Sequence, residues 1–238
     1  MTDGHILRRY QRFLADVELG DGTLVTAHVP NTGSMATCWA AGRAVQLTRS
    51  DSPKRKLPWT LERVDMGNGW VGVNTARPNQ VMAEAIAQSR IPQLAGYRRL
   101  QREVGVMVPG LERSRLDIAL GNGNGTAEPE VFVEVKNVTL LAGAALRFPD
   151  ARTERGRKHL DLLAALVASG RRAVMLFALN RPEGRFFEPA RDIDPVYAER
   201  LSAVRDAGVE VLAIRMRHGP DQIVSGESIP VVLSAGAG

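Results

Sequence analysis

The stretch from Glu112 to Val138, ERSRLDIALGNGNGTAEPEVFVEVKNV, restricts the possible folds more than any other part of the chain. Two runs with strand character, RSRLDIAL and EVFVEVKNV, flank the turn-rich insert GNGNGTAEP. Glycine adopts positive φ without steric cost and asparagine tolerates it, so GNGNG between apolar runs predicts a hairpin connection. Side chains alternate along a strand. Val131, Val133 and Val135 therefore take one face of the second run, and Phe132, Glu134 and Lys136 the other. With the turn centred near Gly125, the antiparallel register sets Asp117 opposite Glu134. Directly opposed residues have Cβ atoms roughly 4.5–5.5 Å apart, so two carboxylates and an ammonium share one small area.

Two close carboxylates repel, and one holds its proton unless a cation lies between them. A hard divalent ion such as Mg2+ suits oxygen ligands and bridges carboxylates to phosphate. Asp117 and Glu134 are thus candidate catalytic and metal-ligating residues. Lys136 is placed to orient an attacking water or to stabilise charge developing on phosphorus. The chemistry this suggests is metal-dependent phosphodiester hydrolysis. The plainer alternative is a solvated cross-strand salt bridge. The chain has 27 arginines and four lysines, yet a lysine stands where a compact point charge is wanted.

From Arg8 to about Asn79 the pattern is of short strands separated by turns. FLADVEL, the turn GDG and TLVTAHV read as a hairpin; RAVQLTRS, PWTLERVD and WVGVNT follow, with GNG at 67–69 as another tight turn. Five short strands in about seventy residues predict a small β-barrel of OB-fold type. Such barrels bind single strands through a basic groove with aromatic stacking platforms. The candidates are Arg8 and Arg9 with Tyr10 and Arg12, then Lys54, Arg55 and Lys56 beside Trp59. Each cluster also reads as an ordinary solvated loop. The turn Pro30–Met35, containing Asn31, offers either an anion-binding nest of backbone amides or a plain turn.

A helix-favouring run opens at Pro78 and ends by Pro92, which sets a domain boundary near residue 80 and divides the chain into 1–80 and 81–238. LQREVGVMVP (100–109) predicts the strand before the hairpin, and 139–150 a loop framing the site. Thr153 caps a helix running to about Ser169, with Gly170 as its stop. Arg152, Arg155 and His159 recur at three- and four-residue spacing; with Lys158 they give that helix a basic face suited to phosphate. RAVMLFAL (172–179) has the continuous apolarity of a central strand. Asp194-Pro195 starts another helix, and VEVLAIRM (209–216) supplies a further strand. The second part is therefore α/β, a mixed sheet flanked by helices.

The D…E-x-K arrangement on adjacent strands, followed by a helix, resembles the PD-(D/E)XK nuclease superfamily. More closely, RRYQRFLADVEL, HVPNTGSM, SDSPKRKLPWTLE, VGVNT, ERSRLDIAL, VFVEVKNVTL, FPDARTERGRKHL and FEPARDID resemble, in order along nearly the whole chain, the bacterial sugar fermentation stimulation protein A family. That resemblance implies an OB-like nucleic-acid-binding domain over 1–80 and a restriction-endonuclease-like domain over 81–238. It further implies Mg2+ or Mn2+ as cofactor, the Val135 carbonyl as a third ligand, and a catalytic carboxylate from the first helix of the second domain, a position Glu84 would hold. It favours a functional role for the Asn31 turn, and DNA over RNA as partner. A non-catalytic DNA-binding regulator linked to sugar metabolism genes is the alternative it leaves open, and an enzyme acting on a small phosphorylated metabolite is a third.

Composition adds limits. The formal net charge of +5 permits a polyanionic partner without requiring one. The single Cys38 excludes an internal disulfide and suits a reducing compartment. The start of the chain lacks the apolar core of a signal peptide, and no run approaches a membrane span. A soluble cytoplasmic protein without membrane association is the expectation.

Overall fold

The structure, a computed structural model, describes residues 1–31, 33–123 and 128–233. The centre of the GNGNG turn, Thr32 of the polar turn and the terminal SAGAG lie outside the described residues.

Strands β1 (Thr2–Tyr10), β2 (Leu14–Leu19), β3 (Leu24–His28), β4 (Ala44–Arg49) and β5 (Trp59–Asp65) run in the order β3-β2-β1-β4-β5. A parallel pairing of β3 with β5, through Ala27↔Trp59 and His28↔Thr60, closes them into a barrel. Closure removes the free sheet edges, and Ile6, Val17, Ala27, Val45, Leu47 and Leu61 fill the interior. This is the OB-like barrel expected, but its ring is composed differently. The expected fifth strand, WVGVNT, contributes β6 (Trp70–Gly72), which pairs with β5 outside the ring. The ring member is β1, whose inward positions include Gly4 and Ile6. Gly4 permits close strand packing: a Cβ there would meet the Glu18 carbonyl oxygen at 2.6 Å.

Helix α1 (Arg77–Ala87) leads into the second part, with Pro78 in its first turn and Val81, Met82, Ala85 and Ile86 buried. After a short 3-10 turn at Pro92–Leu94 come β7 (Arg99–Val106), β8 (Ser114–Gly121) and β9 (Val131–Val138). The expected loop at 139–150 holds two short strands, β10 (Leu140–Ala142) and β11 (Ala145–Phe148). Helix α2 (Glu154–Ala168) follows, its Gly156 N–H donating to the capping Thr153 hydroxyl at 3.0 Å. Then come β12 (Arg172–Leu179), β13 (Phe186–Pro189), α3 (Pro195–Asp206), β14 (Glu210–His218) and β15 (Ile223–Ser228). Asp194 caps α3 through Tyr197 N–H and accepts from Thr153 N–H, tying the starts of α2 and α3 together.

The main sheet runs β15-β14-β12-β9-β8-β7. It is parallel at β9–β12–β14 and antiparallel at its edges. β12 is buried on both faces, with Met175, Phe177 and Leu179 packed towards α2 and α3, and Val174, Leu176 and Ala178 towards α1. β10, β11 and β13 form a small separate sheet. Among the described residues, no helix is long and apolar enough to cross a membrane.

Polar contacts join the barrel to the sheet. Gly72 N–H donates to the Asn180 carbonyl at 2.9 Å, and a Cβ at Gly72 would fall 2.2 Å from the Asn180 side-chain oxygen. Arg181 donates to the Thr37 and Thr139 carbonyls at 3.1 and 2.7 Å. Arg63, 1% exposed, donates to Gln46 Oε1 at 2.7 Å and to the Gly219 carbonyl at 2.9 Å. Burial, and then the Arg63 charge, push the neighbouring His218 imidazole down to about 4. Removing the guanidinium strands part-buried acceptors, each worth about 1–2 kcal/mol. Arg63→Met is therefore expected to lower unfolding stability by about 2–4 kcal/mol in urea titrations; a change below about 0.5 kcal/mol would contradict this reading of the junction.

Candidate active site

The antiparallel ladder between β8 and β9 pairs Leu120↔Val131, Ala119↔Phe132 and Ile118↔Val133. The same register brings Asp117 level with Glu134, and there the ladder stops. Asp117 Oδ2 accepts the Val135 N–H at 2.7 Å, standing in for the next backbone carbonyl. Asn79, in the first turns of α1, donates to Asp117 Oδ1 at 2.6 Å. The strands separate at this fork.

Glu134, 2% exposed, lies beside β12 at the level of Met175. Its Oε1 accepts from Lys136 Nζ at 2.5 Å and contacts His159 Nδ1 of α2. Lys136 Nζ and His159 Nδ1 are 3.2 Å apart. Both partners thus use one oxygen. The other, Oε2, is buried and has no hydrogen-bond partner among the described residues.

Burial pushes both carboxyls up, and their partners decide the outcome. For Glu134, the hydrogen bond from His159 and the charge of Lys136 outweigh burial and hold it below the usual carboxylate range. Asp117 has no such cation in contact; burial first, and then the Glu134 charge, raise it to about 7. Near neutral pH the pair therefore carries between one and two negative charges, and a cation that neutralised it would displace the proton held by Asp117.

A cavity of about 560 Å³ opens over this pair. Asp117, Glu134, Val135 and Lys136 line it from the sheet; Arg147, Asp150, Arg152 and Arg155 line it from the segment leading into α2. The barrel contributes Arg12, Asn31 and Gly33, and the connection to α1 contributes Thr75 and Asn79. The Asn31 turn seats closely against the second part: a Cβ on Gly33 would lie 2.1 Å from Asp150 Oδ2.

Sequence expectations converge here unevenly. Asp117, Glu134, Val135, Lys136, Arg152, Arg155 and Asn31 share the cavity, with His159 bonded to Glu134 beneath it. Lys158 lies on the exposed side of α2, 3.4 Å from Glu112. Glu84 is not brought to the site. It is exposed, accepts from Gln80 at 2.8 Å and lines a groove against β15, because the helix register turns Asn79, not Glu84, towards Asp117. Arg8 pairs with Asp16 at 2.6 Å on the outer barrel surface. Arg9 has a structural use: its guanidinium donates to the Arg12, Asn31 and Gly33 carbonyls at 2.8, 3.3 and 3.2 Å, tying two loops together. Lys54, Arg55 and Lys56 occupy an exposed loop that does not line the cavity, with Arg55 bonded to Thr60.

Of two further cavity residues, Asn79 carried little sequence signal, while Arg12 was among the basic residues expected at the barrel groove. Asn79 is a neutral amide that charge or metal patterns do not reveal. Arg12 sits at the β1–β2 turn, where Gln11 and Arg12 both hold positive φ, 49° and 64°. Non-glycine residues pay about 1–2 kcal/mol to adopt that region. The strained turn delivers to the cavity a guanidinium that makes no hydrogen bond or ion pair with any described residue.

The sequence matches the family description "SfsA N-terminal OB domain" over residues 7–73 and "Sugar fermentation stimulation protein RE domain" over 76–222. A sugar fermentation stimulation protein homolog from Acidithiobacillus ferrooxidans is 46% identical over 224 residues, 94% of each chain. The Geobacter sulfurreducens homolog is 46% identical over 98% of this chain and 96% of its own. The Rhodospirillum centenum homolog is 48% identical over 92% and 91%. Among solved structures, that of Pyrococcus furiosus SfsA in complex with Ca2+ superposes with a TM-score of 0.84 at 26% identity, covering 97% of this chain and 95% of the other. With both halves matched in order and the fold shared from end to end, the chain belongs to the sugar fermentation stimulation protein (SfsA) family.

Proposed function

We propose that this chain binds nucleic acid and hydrolyses phosphodiester bonds at the Asp117–Glu134 fork with the help of a divalent metal ion. One observation carries the reading: Lys136 and His159 both occupy Glu134 Oε1, which leaves a buried, unpartnered Oε2 beside a second carboxylate at the edge of an open cavity. A buried acceptor without a partner is costly. A hard ion with oxygen preference, Mg2+ or Mn2+, would satisfy it. Asp117, Glu134 Oε2 and the Val135 carbonyl are the residues that would hold it. The Val135 N–H already faces the gap, and in an extended strand the carbonyl of the same residue faces the same side. The Pyrococcus furiosus relative was solved in complex with Ca2+, a hard ion of the same class, which supports a divalent-ion reading of the family fold.

Such an ion supplies Lewis-acid charge next to the phosphate. The chain does the rest. Asn79 and the Val135 N–H hold Asp117 in place. Glu134 and His159 position the Lys136 ammonium at the cavity wall, where it can orient water and stabilise the charge that builds on the phosphate oxygens. Arg152 and Arg155 face the same space and suit the flanking phosphates. The OB-like barrel, whose turns line the cavity, supports a nucleic acid ligand over a smaller ester. Binding without hydrolysis, as a DNA-binding regulator, is the second reading; the same basic lining favours it, and metal dependence separates the two.

Incubation with single-stranded, duplex and branched DNA and RNA plus Mg2+ or Mn2+ is expected to show cleavage that EDTA stops and that Glu134→Gln lowers by more than about 10²-fold. Absence of cleavage on every substrate, with binding retained, would favour the regulator.

The raised Asp117 carboxyl gives a separate prediction without metal. Between pH 4 and about 7 the native state holds a proton that the unfolded chain, titrating near 3.8, has released. Stability in EDTA therefore falls as pH rises through this window. The stability of Asp117→Asn relative to wild type should rise over the same interval by about 1–3 kcal/mol. A difference independent of pH, measured by urea unfolding, would refute the assignment.

Arg12 yields a third. Arg12→Gly relieves the positive-φ strain, so thermal stability is expected to hold or rise, while oligonucleotide affinity falls by about threefold to tenfold with the loss of one phosphate contact. Unchanged affinity would reduce Arg12 to a turn residue.

A further inference from the structure

A second cavity, of about 530 Å³, lies between the β7–β8 pair and the first turns of α2. Arg113, Arg115, Arg155, Lys158 and His159 line it, and no carboxylate among the described residues does. It adjoins the first cavity through two of these residues. Arg155 lines both. His159 stands between them, its Nδ1 bonded to Glu134 on one side while the residue borders the second cavity on the other.

Several arginines elsewhere in the fold are matched to carboxylates that hold them: Arg77 to Glu62, Arg181 to Glu183 and Arg215 to Glu227. In the second cavity, Arg113 and Arg155 make no ion pair or side-chain hydrogen bond with any described residue. The partners of Arg115 and Lys158 are solvent-exposed carboxylates, Glu103 at 3.9 Å and Glu112 at 3.4 Å, and such surface pairs hold their members weakly. Gly105, opposite Arg115 in the ladder, also lines this cavity. Like charges gathered around a concave space with only exposed, weakly held counter-charges repel one another, and a polyanion relieves that repulsion.

We propose that this second cavity is a phosphate-binding subsite that holds the backbone of a polynucleotide strand on one side of the bond cut at the fork. The inference rests on the hydrolase reading given above and narrows its substrate. A lone phosphate ester would occupy only the carboxylate cavity, whereas consecutive phosphodiesters reach both, with Arg155 at the crossing. The ligand class is then a polymer, gripped over more than one phosphate.

The test uses a fluorescein-labelled single-stranded oligonucleotide and the full-length protein, with affinity measured against NaCl concentration. Each phosphate contact on a single strand contributes about −0.7 to the slope of log affinity against log salt. Arg113→Gln/Arg115→Gln, at two exposed positions, is expected to make the slope shallower by about 1.4 for two lost contacts and to weaken low-salt binding at least tenfold. Arg200→Gln/Arg205→Gln, of equal charge change on α3 and lining neither cavity, should leave the slope at its wild-type value. A wild-type slope in the first variant, or an equal loss in the second, overturns the subsite while the hydrolase reading stands. A wild-type protein that neither binds the oligonucleotide nor cleaves any substrate overturns the reading beneath it, and the subsite falls with it. Lys158→Gln, measured the same way, gives an independent check: a loss of about 0.7 supports the subsite, and no change counts against it.

Discussion

Where β8 leaves β9, the Val135 N–H bonds to the Asp117 carboxylate instead of to a backbone carbonyl. That substitution ends the ladder without leaving a buried donor unpaired, and it opens a gap into which both carboxylates project. The cost appears as electrostatics. A buried and a half-buried acid lie opposite each other, and only Glu134 has Lys136 and His159 in contact, so Asp117 is raised to about 7 while Glu134 stays below the normal range. Perturbation of two neighbouring groups in opposite directions within a cavity is a mark of functional sites. Lys136 and His159 could have satisfied Glu134 completely, one on each oxygen; instead they share one. That sharing is what leaves Glu134 Oε2 without a hydrogen-bond partner among the described residues.

The fork would be a shallow cleft without the barrel. The β1–β2 turn and the Asn31 turn form part of the cavity wall, and they are held there by specific contacts. Arg9 gathers the carbonyls of both turns, Gly33 allows the approach to Asp150, and Arg63, Asn180 and Arg181 fix the barrel against the sheet. Buried polar junctions of this kind are directional, so they define one relative placement of the two parts more sharply than apolar packing does. The basic residues on the barrel thus divide between two tasks. Some, such as Arg9 and Arg63, maintain the geometry, while the Arg12 guanidinium is unpaired among the described residues and reaches the cavity.

Much of the fork was legible in the sequence, because a turn centred at one residue and a period of two determine which side chains meet. Asp117 and Glu134 came together on that arithmetic alone, although Gly125 itself lies outside the described residues. β12 and the caps of α2 and α3 were equally plain, since continuous apolarity and a Thr or Asp ahead of a helix have one dominant physical meaning. β1 was missed as a barrel strand because TDGHILRRY has little apolar alternation; a glycine fits it against β2. β10, β11 and β13 are too short for periodicity to show. Glu84 was misplaced because a helix position taken from family resemblance carries no register, and the side chain that meets Asp117 proved to be an amide. Charge clusters were the least informative signal. The sequence does not distinguish an Arg8 that ends in a surface pair from an Arg12 that ends in the cavity.

The central claim, that the two carboxylates at the fork form a seat for a divalent ion, is tested most directly by crystals of the protein soaked in Mn2+ and measured for anomalous scattering. One strong peak is expected within coordination distance of Asp117 and Glu134 Oε2, with Lys136 and His159 still on Oε1. A well-ordered fork with no peak there, or a peak that requires Lys136 to be displaced from Glu134, would contradict it.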